Sequence, residues 1–80
     1  MKPADYDPAF ALSRELARMA DEAGVTRAEL ARRTGMAWST VANKLSGHPR
    51  KMRVDEARVL ANALGERLSD VMYRAEAAAS

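Results

Sequence analysis

Residues Gly35 to Gly47 read GMAWSTVANKLSG, a tight turn followed by one short helix and a glycine stop. The helix opens on the only tryptophan of the chain, Trp38, followed by Ser39 and Thr40, with Asn43 three positions further on. A large aromatic and three small polar groups at the start of so short a helix face a core, a partner or a groove. Bond-breaking chemistry finds no comparable set. No paired carboxylates with a basic neighbour stand in one plausible cleft, cysteine is absent, and the single histidine, His48, lies in a loop. Without cysteine there is neither a disulfide framework nor a thiolate metal site, and His48 has no companion ligand. No catalytic residue, metal or cofactor is expected.

Charge narrows the choice. The net charge is only +2, but it is unevenly placed. Residues 26–53 carry seven basic groups (Arg27, Arg32, Arg33, Lys44, Arg50, Lys51, Arg53) against Glu29 alone, a local charge of +6. Residues 1–25 and 54–80 each come to −2. Concentrating positive charge around one motif is the usual footprint of a polyanion-binding face. A solvated basic surface with no partner is the plainer alternative.

The elements that must position these residues are helical throughout. Period-two alternation is absent and β-branched residues are few, so an all-α fold of five helices with no sheet is expected. Residues 1–7 read as a flexible arm. From Pro8, the residues Phe10, Leu12, Leu16, Met19, Ala20 and Ala23 recur at helical spacing until Gly24. Thr26 with Glu29 forms a capping-box pattern for the next helix, RAELARRT, which Gly35 ends. The third helix is expected over 38–46, with Val41 and Leu45 inward and Ser39, Asn43 and Ser46 outward. A fourth spans about 54–64, with Val54, Ala57, Leu60, Ala61 and Leu64 on its inner side. Leu68-Ser69 reads as a hydrophobic residue before a serine N-cap opening a fifth, and residues 74–80 as a fraying tail. The expected core is Leu16, Leu30, Ala31, Val41, Leu45, Leu60, Ala61 and Leu64. Met19, Met36, Met52 and Met72 read as gap-fillers. With too little apolar sequence to span a bilayer and no secretory leader pattern, one domain over 1–80 in the cytoplasm is the expectation.

A short helix, a glycine-containing turn and a second short helix, with a small residue (Ala31) where the two cross, make a helix-turn-helix over 26–46. TRAELARRTGMAWSTVANKLSG resembles the helix-turn-helix of the phage repressor and Cro (XRE-like) family of DNA-binding domains. The resemblance extends over about residues 9–73 and includes DEARVLANALGERLSDVM. Lys44 departs from it, since that position is often apolar in the family.

The resemblance implies a compact bundle of the repressor DNA-binding type, with the third helix entering the major groove of double-stranded operator DNA. Ser39 and Asn43 match base-reading positions, and Asn suits a bidentate contact with adenine. Ala37 is placed to touch a thymine methyl. Trp38 matches another base-contacting position, yet lies only about 60° from Val41 at ~100° per residue, so its ring either meets the groove or covers the core edge. Arg27 matches a phosphate-gripping position that supports the recognition helix. Thr40, Ser46, His48, Arg50, Lys51 and Arg53 join it on the phosphate backbone. The function implied is a sequence-specific transcriptional regulator, a small phage Cro- or repressor-like protein acting in its host's cytoplasm. The alternative is a protein-interaction module, antitoxin-like or adaptor, that reuses the fold. A monomer or weak homodimer pairing on DNA is expected, with Val71, Met72 and Tyr73 as the available apolar patch. No dedicated sensor domain is read, so control by amount is expected.

Overall fold

In a computed structural model, which describes residues 7–46 and 52–79, five helices follow one another. They are α1 (Pro8–Ala23), α2 (Arg27–Thr34), α3 (Trp38–Lys44), α4 (Val54–Ala63) and α5 (Leu68–Ala79). The described residues include no strand. The fold is all-α, as the patterning requires.

Local chemistry accounts for the helix ends. The Asp7 carboxylate accepts the N–H groups of Ala9 and Phe10 at 3.0 and 3.4 Å, and Pro8, which has no N–H to satisfy, takes the first helical position. The Thr26 hydroxyl accepts the Glu29 N–H at 3.0 Å, the N-cap expected of it. Glu29 itself turns forward, to Arg32 and to Arg33 at 2.8 Å, rather than back to the cap. Gly35 closes α2 at φ +77°, a left-handed conformation that a residue with a Cβ adopts only under strain.

The core lies where all five helices meet. Leu16, Met19 and Ala20 of α1, Leu30 of α2, Val41 at the middle of α3 with Leu45 just after it, Leu60 and Ala61 of α4, and Val71 of α5 form one buried cluster. Leu12, Ala31, Met36, Met52, Leu64 and Leu68 are half-buried against it. Ala31 and Leu64, expected inside, thus sit at its margin. Met72 is 45% exposed and fills no gap.

Four further features differ from the sequence reading. Helix α3 stops at Lys44 rather than Ser46, because the Ser46 N–H and hydroxyl both turn back to the Asn43 carbonyl, at 3.2 and 2.7 Å. The expected stop at Gly47 lies outside the described residues. Helix α5 begins at Leu68, so Ser69 sits inside its first turn, and the N–H groups of Asp70 and Val71 bond the Arg67 carbonyl. It then continues to Ala79 where a frayed end was expected. Ala75 is 3% exposed, and α5 packs on α1 more extensively than any other helix pair, so small residues suffice to hold the tail. Val54, expected inside, is 75% exposed. As the first residue of α4 its side chain tilts back off the helix end, away from the core.

Polar groups are also taken inside. Glu15 is buried and pairs with Arg18, which also meets Glu22 at 2.6 Å. Hydrogen bonding to Glu15 first, then its charge, raises the Arg18 guanidinium further above its ordinary basicity.

Candidate nucleic-acid interface

The face of α3 is set by its anchors. Val41 is fully buried and Leu45 nearly so, and together they fix which side of the helix looks inward. Ser39 and Asn43, four residues apart and therefore neighbours on one face, are both exposed, as is Ser46 beyond the helix end. Trp38 is 58% exposed, so its ring stands largely clear of the core edge. Ala37 is the exposed N-cap residue of α3 and makes no side-chain capping bond. Thr40 is half-buried and shares a shallow cleft with Ala37, Asp55 and Glu56.

The turn before α3 is held by a residue that the motif reading passed over. The Thr34 hydroxyl donates to the Leu30 carbonyl at 2.7 Å and accepts the Met36 N–H at 3.1 Å. One side chain thereby satisfies a carbonyl at the end of α2 and an amide of the connection. Gly35 lies between them, its N–H on the Ala31 carbonyl at 2.9 Å. A threonine immediately before a helix-ending glycine was the available signal.

This is two short helices around a glycine turn, with a polar, solvent-facing row on the second and buried aliphatics behind it. The family model for the Cro/C1-type HTH DNA-binding domain matches residues 15–76. The chain belongs to that family. No curated protein and no solved structure matches it. The matched span runs from α1 into α5 and takes in α2, the turn and α3.

Electrostatics in this Cro/C1-type domain differ from the count along the chain. Every described cation of the 26–53 segment meets a carboxylate. Arg27 pairs with Asp21 at 3.3 Å, Arg32 and Arg33 with Glu29, Lys44 with Glu56 at 3.2 Å, and Arg53 with Asp55 at 3.1 Å. Asp21, Asp55 and Glu56 come from outside the segment, so folding offsets part of the +6 that the sequence concentrates there. The pairs are not equivalent. Arg32 and Arg53 are more than two-thirds exposed, and such surface pairs contribute only about 0–1 kcal/mol, so a phosphate competes easily for them. The Lys44 side chain is 11% exposed and is not available in that way. Arg27, at 28%, lies between these extremes, braced by α1 beside the first turn of α2. His48, Arg50 and Lys51 lie outside the described residues.

Sequence reasoning missed the ties that hold this face to the bundle. Arg33 bonds Glu29 and reaches the Ala63 carbonyl at 3.0 Å, joining α2 to the last turn of α4. Ser13, fully buried on α1, donates its hydroxyl to the Lys44 carbonyl at 2.6 Å. Glu56 Oε1 accepts the Arg53 N–H at 3.1 Å and meets the Lys44 ammonium as well. A serine at an inward helical position was the one legible hint. Among the described residues, no group of three His, Cys, Asp or Glu side chains converges as a metal site would require. No helix among them is long and apolar enough to cross a membrane.

Proposed function

We propose that this Cro/C1-type domain is a sequence-specific transcriptional regulator that reads double-stranded operator DNA with α3 in the major groove. The observation that carries the proposal is the sidedness of α3: Ser39, Asn43 and Trp38 exposed, with Val41 fully buried behind them. A helix presenting two hydrogen-bonding side chains on one exposed face can offer both to base edges in the major groove. Asn43 is the candidate for a bidentate adenine contact, Ser39 for a second polar contact, and Trp38 and Ala37 for apolar contact with thymine methyls. Arg27, Ser46, His48, Arg50, Lys51 and Arg53 are proposed to grip the phosphate backbone. Thr40, half-buried beside Ala37, is proposed with them. The Cro/C1 type of the family supports a phage repressor-like role, acting on DNA in the host cytoplasm. The test is selection of bound sites from a random duplex library. A short enriched sequence is the expected outcome, whereas enrichment of none with only weak, sequence-blind binding would favour the interaction-module reading.

A further inference from the structure

A seven-residue helix is too short to hold its own direction, and α3 lies mainly along α2. Its first turn is set by the Thr34–Gly35 turn, which Met36 and Ala37 join to it. Its last turn needs another hold, and the structure supplies two polar ones at a single residue. The Lys44 carbonyl accepts the buried Ser13 hydroxyl from α1 at 2.6 Å, while the Lys44 ammonium meets Glu56 of α4 at 3.2 Å. Glu56 is itself fixed, because Oε1 also accepts the Arg53 N–H that opens α4. Both sides of the ion pair are largely withdrawn from solvent, 11% and 23% exposed, so it is poorly screened compared with the surface pairs. The backbone of Lys44 is thus tied to α1 and its side chain to α4, one position beyond Asn43 on the exposed face.

We propose that Ser13, Lys44 and Glu56 are positioning residues that set the direction of α3, and with it the aim of Asn43 and Ser39. The inference rests on the DNA-reading role proposed above. Lys44 then contributes to specificity without touching DNA, which separates it from the basic side chains proposed to grip phosphate. Replacing it with methionine keeps the aliphatic stem and removes the charge. Replacing it with arginine keeps the charge.

Titrations of wild type, Lys44→Met and Lys44→Arg would use the library-selected duplex and a random duplex of equal length over a range of salt. Lys44→Met is expected to reduce the preference for the selected duplex by about three- to tenfold, toward the lower end of the roughly 5- to 150-fold that a lost bidentate contact removes. Its salt slope should stay that of wild type, and Lys44→Arg should recover most of the preference. A slope shallower by about 0.9 would place Lys44 on a phosphate and overturn the proposal. Equal losses on both duplexes would overturn it too, leaving a structural role alone. Amide chemical shifts of the free protein give a reading independent of DNA. Changes in Lys44→Met concentrated on residues 38–46 support a re-aimed helix even if the wild-type chain proves sequence-blind, and unchanged shifts there refute it. Should Lys44→Met fail to fold, Ser13→Ala removes the other tie and is judged by the same outcomes.

Discussion

Asn43 and Lys44 are chain neighbours with opposite surroundings: the first exposed at the outer face of α3, the second paired with Glu56 and nearly covered. Exposure matters for reading because a base edge exchanges hydrogen bonds with water for hydrogen bonds with protein, and only a side chain free to face the groove takes part. Asn43→Ala is therefore expected to cost about 1–3 kcal/mol on the cognate duplex and to blunt preference at one base pair. Arg50→Ala should weaken selected and random duplexes by similar factors, as removal of a phosphate contact does. Paired titrations on the two duplexes check both, and an equal loss on both for Asn43→Ala would remove it from the base-reading set. At this scale the sequence showed that Ser39 and Asn43 lie on the outer face, since the position of Val41 dictates it by helical geometry, but it left Trp38 open, about 60° from Val41. It did not show which cations have partners. Arg27 and Asp21 are only six residues apart but lie on different helices, Glu56 comes from beyond the next loop, and only the packing of α1 and α4 beside the motif brings each pair together.

Between residue and bundle, the turn from α2 to α3 depends on backbone conformation more than on contact. Gly35 has φ +77°, and a Cβ built there meets nothing within 4 Å. Gly35→Ala should thus destabilise through left-handed strain alone, by about 1–2 kcal/mol. A lowered melting temperature, on the scale of roughly 4–8 °C per kcal/mol for a domain of this size, is the measurement. An unchanged melting temperature would mean that the turn relaxes at no cost. This turn was legible in advance because glycine at a helix end carries a local signal, as Thr26 does at a helix start. The ends of α5 were not. Leu68 and Ser69 offered a plausible hydrophobic-then-cap start, yet the chain begins its helix one residue before that serine, with the Arg67 carbonyl serving the first bonds. The alanine-rich end looked too weak to stay helical, and intrinsic propensity gives no sign of α1 lying along it. Val54 errs in the other direction. Its spacing from Ala57 and Ala61 is correct for an inward face, but periodicity cannot register that a first-turn side chain overhangs the end of its helix.

For the whole molecule, the proposed function requires net attraction to a duplex despite the ion pairs that folding forms. If four to six basic side chains reach phosphates, log K should fall against log salt with a slope of roughly −4 to −5, and a flat response would favour the protein-interaction reading. Assembly is the remaining question, because one recognition helix covers only half of a site and related domains bind two half-sites one helical turn apart. The apolar surface available for pairing is smaller than the sequence implied, since Val71 is wholly inside the core. Met72 and Tyr73 remain on α5, 45% and 74% exposed, and two such side chains per protomer fall well short of the roughly 800 Å² per partner of a standard stable interface. The free chain is therefore expected to be a monomer or a weak dimer, with pairing driven by a shared duplex and Tyr73 near the contact. Sedimentation at micromolar concentration should show mostly monomer without DNA and two chains on a duplex that holds both half-sites. Tyr73→Asp should leave the melting temperature and single half-site affinity nearly unchanged while weakening the second binding event. A single stable dimer in the absence of DNA would locate the pairing surface elsewhere on the bundle.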